Sequence, residues 1–203
     1  FLKRFAAGVI VLTVLYLVLT ALRDFRDNYA AEIWRELGHG GDASVFAVPE
    51  MWIAFGVMAV LAGIYLIQSN RAALIATHGM MFGGAKCVAI STALWDYGML
   101  SGYGWMLGLG LGMYLAYVPF GCVLFDRMFA ATGTLGTSVF LIYVADAVAY
   151  GGSVGLVLYK HLGHADMQKV AFMRAFAYGG AALCLVGFAF SAWYFSRRSV
   201  AQR

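Results

Sequence analysis

The feature that most constrains the fold is a series of six long apolar runs separated by short polar breaks. The runs cover residues 5–22, 47–67, 72–94, 100–124, 134–159 and 171–196. Each is long enough to cross a bilayer as a helix, which takes roughly 17–25 apolar residues. None of them alternates apolar and polar residues as a barrel strand does. The sequence therefore predicts an all-α integral membrane protein with six transmembrane helices.

Composition supports this class of protein. Hydrophobic residues make up 63% of the 203 positions and charged residues only 12%, whereas soluble domains are about half apolar and a quarter charged. No basic stretch interleaved with aromatic residues suggests nucleic-acid binding. The expected surroundings are the lipid bilayer, and no nucleic acid is expected as a partner.

The distribution of Lys and Arg predicts the orientation of the six spans. Cytoplasmic loops of membrane proteins carry an excess of these residues. An even number of spans puts both termini on one side, where seven cations meet Asp126 as the single opposing acid. The other side has four cations and as many acids. We therefore expect a multi-pass protein of the inner (plasma) membrane with both termini cytoplasmic. The seven cations are Lys3, Arg4, Arg71, Arg127, Arg197, Arg198 and Arg203.

The first apolar run ends in a stretch of charge, LTALRDFRDNYAAEIW at residues 19–34. Apolar residues continue to recur every four positions beyond it, which predicts a helix over residues 5–37. At 1.5 Å per residue this helix is roughly 50 Å long and exceeds the hydrocarbon core, so it must tilt, project or break near the charges. Within it, Arg23 and Asp27 have the i,i+4 spacing of an ion pair.

Ionisable residues also occur deep inside later spans. Counting helical rise from the span ends puts Lys86 and Asp146 near the bilayer midplane, where an unpaired charge costs at least about 2.5–3.5 kcal/mol. Their similar depth allows an ion pair, either as a coupling site or as a purely structural link. Glu50, beside Pro49 at the start of the second span, is either interfacial or part of the same site.

Enzymatic chemistry has no visible machinery in this sequence. No metal-binding His-Glu-x-x-His pattern, nucleophile elbow or phosphate-binding glycine loop is present. His78 is a lone histidine within a span, which is more typical of a packing residue than of a ligand. We therefore expect no catalytic residues, no metal and no cofactor.

Three phrases resemble the C-terminal six-helix half of a major facilitator superfamily transporter: RDFRDNYAAEIW, YVPFGCVLFDR and FLIYVADAVAYGGSVG. They look most like an uncharacterised bacterial branch similar to the organophosphate:phosphate antiporters. The resemblance implies that residues 1–203 are a single six-helix domain whose spans are helices seven to twelve of a longer chain. An N-terminal six-helix half in the same chain would then be the partner.

The resemblance also implies a site. Arg23 occupies the place of the family arginine that binds substrate phosphate, and Tyr117 with Pro119 matches a gate in the tenth helix. The break QSNRAAL departs from the family, because it lacks a Gly-x-x-x-Asp-Arg signature. The expected coupling or ion-pair residues are Lys86, Asp146 and Glu50. The expected substrate-binding residues are Arg23, Arg26, Asp27, Asn28, Tyr117, Asp146 and Tyr150.

Three classes of function remain open from the sequence. The first is half of a secondary transporter that moves a small polar solute, expected to be anionic, by alternating access. The second is a transporter-like sensor, which binds a solute and signals to a partner instead of moving it. The third is a membrane enzyme or a haem protein, which the absence of catalytic motifs and of a second buried histidine disfavours.

Overall fold

The structure is a computed structural model that describes residues 2–134, 136–163 and 168–198. Apart from one 3₁₀ turn at Ala43–Phe46, its regular elements in these ranges are α-helices. In chain order they are α1 Leu2–Asn28, α2 Ala30–Glu36, α3 Val48–Tyr65, α4 Asn70–Asp96, α5 Gly102–Tyr117, α6 Pro119–Cys122, α7 Leu124–Thr132, α8 Ser138–Gly163 and α9 Lys169–Arg198.

Six helical segments are long and apolar enough to cross a membrane, which confirms the predicted number of spans and the all-helical membrane class. Their mean hydropathy lies between 1.3 and 2.5. They agree with the predicted runs to within a few residues, except at the ends discussed below. The six segments are Arg4–Asn28, Ala43–Tyr65, Asn70–Asp96, Gly102–Cys122, Ser138–Gly155 and Lys169–Arg198.

The predicted helix over residues 5–37 breaks near its charges, at Tyr29. This residue has φ −113° and ψ 20°, outside the helical range, and it separates α1 from α2. The backbone hydrogen bonds nevertheless continue through the break, since Tyr29 N donates to Phe25 O at 3.1 Å and Ile33 N donates to Tyr29 O at 2.9 Å. The long helix therefore changes direction without losing backbone hydrogen bonds. Gly38 ends it with a φ of +87°.

The fourth span differs from its prediction at the C-terminal end. The stretch DRMFAATG was expected to be a loop, but most of it is helical and forms α7, which ends at Gly133 with a φ of +62°. The reason is that one side of α7 is apolar and buried, with Phe125 and Met128 both within the core. The segment is interrupted at Val118, directly before Pro119, and again at Val123.

Small residues let α4 and α5 pack closely. A Cβ added to Gly84 would lie 2.5 Å from the carbonyl oxygen of Gly112, and one added to Gly112 would lie 2.6 Å from that of Gly84. Both distances are shorter than atoms tolerate, so the two backbones are in direct contact. α4 packs against α9 as well, and α9 packs in turn against α1.

His78 is a packing residue, in agreement with the sequence prediction. It is only 2% exposed, and its Nδ1 lies 2.9 Å from the carbonyl oxygen of Leu74. Its Nε2 lies 2.9 Å from the hydroxyl of Ser191 on α9. Because Nδ1 can only donate to a carbonyl, Nε2 of the neutral ring accepts from Ser191. The imidazole therefore joins α4 to α9 and has no nitrogen left for a ligand.

Two of the spans lie at the edges of the bundle. α8 packs mainly on α1, and α3 packs mainly on α5, while α1 and α5 contact each other between them. Only 22% of the most apolar stretch is buried in each of the edge spans, compared with 39% or more in the other four. Large apolar side chains such as Phe55 on α3 and Tyr143 on α8 are exposed. The polar residues of α1 and α5 therefore lie between two sparsely covered helices.

Candidate functional site

The C-terminal turns of α1 hold two arginines with different surroundings. We name each group of contacting side chains after its arginine. The Arg23 centre consists of Arg23, Asp24, Tyr117, Tyr16 and Asp146, and the Arg26 centre consists of Arg26, Asp27, Glu50 and Tyr114.

All three nitrogens of the Arg23 guanidinium donate hydrogen bonds to other side chains. Its Nε and Nη2 donate to the same oxygen of Asp24, at 3.0 and 2.6 Å, and its Nη1 donates to the hydroxyl of Tyr117 on α5. The guanidinium carbon also lies 4.6 Å from the centre of the Tyr117 ring, within the range of a cation–π interaction. Arg23 and Asp24 are each 21% exposed at the side chain, so solvent or a solute reaches both.

Two tyrosines extend this arrangement to a third helix. The hydroxyl of Tyr16 on α1 donates to Oδ1 of Asp146 on α8 at 2.6 Å, and it lies 3.0 Å from the hydroxyl of Tyr117. A tyrosine has one hydroxyl proton and an ionised carboxylate only accepts, so Tyr117 must donate to Tyr16. The two rings also stack, with centres 5.1 Å apart. Hydrogen bonds therefore run without a gap from Asp24 through Arg23, Tyr117 and Tyr16 to Asp146.

The Arg26 centre joins α1 to α3. Arg26 Nη2 donates to Oε1 of Glu50 at 2.5 Å, and Nη1 donates to Oδ1 of Asp27 at 3.3 Å. The Arg26 side chain is only 4% exposed, whereas Asp27 and Glu50 are 45% and 40% exposed. Tyr114 on α5 donates to the other Asp27 oxygen at 3.4 Å. A buried cation is thus held by two carboxylates that face outward.

A cavity of about 280 Å³ opens at the Arg26 centre. Besides members of the centre, it is lined by aromatic and apolar side chains, namely Trp34, Phe46, Ala30, Val45 and Met106. A second cavity, of about 400 Å³ and mostly apolar, runs along α3. Both cavities are lined by Glu50 and Tyr114. A molecule that moves along α3 therefore meets the carboxylates of the Arg26 centre.

Two ion pairs that the sequence allowed are not formed. Arg23 pairs with Asp24 and not with Asp27, because Asp27 already receives a hydrogen bond from Arg26. Lys86 and Asp146 form no ion pair, and among the described residues Lys86 has no salt bridge. Their depths are similar, but Lys86 lies on an exposed side of α4 while α8, which carries Asp146, packs against α1.

The structure brings together most of the predicted substrate-binding residues but leaves two aside. Arg23, Tyr117 and Asp146 belong to one centre, and Arg26, Asp27 and Glu50 to the other. Asn28 is exposed next to Asp27, and Tyr150 is 61% exposed on α8. Neither of these two has a side-chain hydrogen bond among the described residues. They remain near the site without taking part in it.

Sequence reasoning missed Tyr16, which connects Tyr117 to Asp146. A signal was present, since Tyr16 carries a hydroxyl two helical turns before Arg23 in a mostly aliphatic stretch, VLYLVLTAL. Residues seven apart lie on one side of a helix, so Tyr16 and Arg23 both face Tyr117. Asp24, which pairs with Arg23, is not among the residues that the sequence predicted to bind substrate.

Within the part of the chain that the structure describes, no group of three or more His, Cys, Asp or Glu side chains is arranged to hold a metal ion. The chemistry of both centres is that of ion pairs and hydrogen bonds. Such an arrangement can bind a polar solute, exchange ionic partners or carry protons along hydroxyl groups.

The fold and these centres define a multi-pass α-helical membrane protein with ionisable residues held between its helices. The chain belongs to a family of unknown function, DUF5690, whose sequence profile matches residues 1–198. No curated protein matches it, and no solved structure does. The comparisons thus add no support to the resemblance to major facilitator transporters, which stays a hypothesis.

Proposed function

We propose that the chain is half of a membrane secondary transporter that moves a small polar solute by alternating access. The observation that carries this proposal is the uninterrupted hydrogen-bonded series from Asp24 to Asp146, which links α1, α5 and α8 within their membrane spans. Ionisable residues at such positions are costly and mostly mark the pathway of an ion or substrate.

The interruption of the fourth span supports a moving part at the same place. Tyr117, which accepts a hydrogen bond from Arg23, is the last residue of α5, and Pro119 begins the next short helix. Proline removes a backbone donor and weakens the helix at this point. Transporters commonly place substrate sites beside discontinuous helices of this kind. We assign Tyr117 and Pro119 to a gate whose bending makes and breaks the link between Arg23 and Asp146.

The sparse burial of α3 and α8 is consistent with a further protein segment that packs against them. An N-terminal six-helix half in the same chain would cover the exposed sides of α3 and α8 and close a cavity over both centres. Alternating access would then result from rocking of one half against the other.

Hydrogen bonds made by two arginines from distant parts of the chain support the proposed orientation. Arg127 donates to the side chain of Asn70 at 2.7 Å, and Arg71 donates to the carbonyl oxygen of Ser196 at 3.3 Å. The start of α4, the segment α7 and the end of α9 therefore lie at one end of the bundle. The excess of cations at this end favours the cytoplasmic side of the inner membrane for both termini.

Transport can be tested with the full-length protein in proteoliposomes. We would measure uptake of labelled choline, serine, acetate and inorganic phosphate, and compare Arg23→Ala and Asp146→Asn with the unchanged protein. Uptake of one of these solutes should fall at least about tenfold in both variants, which corresponds to a rise of about 1.4 kcal/mol in the activation free energy. Asp126→Asn, an exposed carboxylate on α7, is the matched control and should transport normally.

Two results would overturn the proposal. Unchanged uptake in both variants would remove the Arg23 centre from the pathway. Tight solute binding with no flux of any solute would favour the sensor, which resembles a transporter in its site but signals to a partner.

A further inference from the structure

In the two centres taken together, the acidic groups outnumber the basic ones. The centres hold two arginines and four carboxylates, Asp24, Asp27, Glu50 and Asp146. With all six groups ionised, the surplus is negative. Placing a further anion beside such a set within a membrane costs free energy, whereas a cation gains it. The surroundings of Arg23 and Arg26 thus favour a positively charged solute over the anion expected from the sequence.

Accessibility points in the same direction at the Arg26 centre. A group entering the 280 Å³ cavity first meets the oxygens of Asp27 and Glu50, which are nearly half exposed, because the Arg26 side chain behind them is only 4% exposed. Both terminal nitrogens of Arg26 are already bonded to these carboxylates. The positive charge is therefore shielded, and the negative charge is presented to the cavity.

The wall of this cavity suits an organic cation better than a small metal ion. Trp34, Phe46 and Tyr114 contribute aromatic side chains, and aromatic faces attract ammonium groups that have given up their water. Na⁺ or Mg²⁺ would need several oxygen ligands in place of its hydration shell. Two carboxylates among aromatic rings provide charge and apolar contact together, which matches an alkylated nitrogen.

Arg26 supplies an independent observation. Its Nε is buried, and among the described residues it has no hydrogen-bond acceptor. A buried donor without a partner is costly, and this one belongs to a side chain that lines the cavity. An oxygen atom carried by the solute would satisfy it after a small rotation of the guanidinium. The site therefore suits a molecule with an oxygen close to its nitrogen.

We propose that the Arg26 centre binds the ammonium group of a small organic cation that also carries a hydroxyl or carbonyl oxygen, with Asp27 and Glu50 facing the nitrogen and the three aromatic side chains around it. The claim that such a cation is the transported substrate rests on the proposed transport function. The claim that the Arg26 centre binds it has a test of its own.

Binding to the purified full-length protein in detergent tests the site without any flux. We would titrate choline and follow tryptophan fluorescence and heat, with tetramethylammonium, NaCl and inorganic phosphate as comparisons. Choline should bind, and tetramethylammonium should bind more weakly because it lacks the oxygen. Asp27→Asn and Glu50→Gln should each weaken choline binding about tenfold or more, the effect of losing one charged partner of about 1.4 kcal/mol.

Controls separate this effect from misfolding. Asp126→Asn should leave choline affinity unchanged, and Glu50→Asp, which keeps the charge, should recover part of the affinity lost in Glu50→Gln. The helical circular dichroism of each variant checks that it has folded. Equal choline affinity in the Glu50→Gln and unchanged proteins would overturn the proposal, as would binding of phosphate or Na⁺ in place of choline, or no choline binding at millimolar concentration.

The outcome is distinct from that of the transport test. Choline binding without flux would support the ammonium site and count against transport. Flux of another solute without choline binding would support transport and reject the ammonium site.

Discussion

Arg23 and Arg26 lie three residues apart in α1, and each is followed directly by an aspartate. Their surroundings nevertheless differ. Arg23 is 21% exposed and joins Asp24 to the hydroxyl chain of Tyr117 and Tyr16, whereas Arg26 is 4% exposed and ties α1 to Glu50 on α3. The same dipeptide thus places a partly exposed arginine on one side of the helix and a buried arginine on the other.

The difference shows what selects the partners of a charged residue in a membrane helix. Three positions advance the helix by about 300°, so Arg23 and Arg26 face different neighbours. Arg23 meets α5 at the point where Tyr117 ends it, and Arg26 meets the beginning of α3. Neighbouring helices therefore decide whether each arginine joins the hydroxyl groups of Tyr117 and Tyr16 or links α1 to α3.

The largest expected effect is the loss of Arg26. Arg26→Ala removes a buried cation and leaves Asp27 and Glu50 facing each other, so we expect a loss of about 3 kcal/mol in the free energy of unfolding. Arg23→Ala removes a more exposed cation, and about 1 kcal/mol is expected. Unfolding in detergent, followed by circular dichroism, measures both. Equal losses would show that the burial of Arg26 does not matter.

A double-mutant cycle on Arg26 and Glu50 should give the next largest effect. The single and double alanine variants are expected to show a coupling free energy of about 2 kcal/mol, because the pair is short and its cation is buried. Arg174 and Asp96, which lie 3.4 Å apart at the surface, are the matched control pair. Their coupling should stay below about 0.5 kcal/mol.

A coupling at Arg26–Glu50 no larger than that of the surface pair would contradict the fixed link between α1 and α3. In that case Glu50 would be held mainly by helix packing. The loss in unfolding free energy of Arg26→Ala would then have to arise from the contact with Asp27 alone.

Much of the fold could be predicted from hydropathy, because the length of an apolar run is a one-dimensional property. The number of spans follows from it, and the proline itself favours the interruption near residue 119. Depth along a helix is also readable, and Asp146 does lie at a polar contact within the membrane. The direction in which a side chain points relative to other helices is not readable, and this is why Lys86 was wrongly paired with Asp146.

The candidate site shows the same limit. The spacing of Arg23 and Asp27 brings their Cβ atoms close, but it cannot show that each of them pairs with another residue, Arg23 with Asp24 and Asp27 with Arg26. Tyr16 was missed because its role depends on Tyr117 and Asp146, which are 101 and 130 residues away in sequence. Contacts of that range require the packing of α1 against α5 and α8, which no local pattern contains.

The smallest expected effect concerns the hydroxyl chain itself. Tyr16→Phe keeps the stacked ring and removes only the hydroxyl between Tyr117 and Asp146, so unfolding should become easier by about 1 kcal/mol or less. Tyr143→Phe is the matched control, because Tyr143 lies on α8, is 69% exposed and has no side-chain hydrogen bond among the described residues; its stability should not change.

Function should separate the two centres more sharply than stability does. Tyr16→Phe breaks the connection from Arg23 to Asp146 and leaves the Arg26 centre unaltered, so we expect slower uptake in proteoliposomes with unchanged choline affinity. A fall in choline affinity equal to the fall in uptake would mean that the two centres act as one site. Normal uptake would show that the chain of hydroxyl groups is structural, and that only the charges at its ends take part in transport.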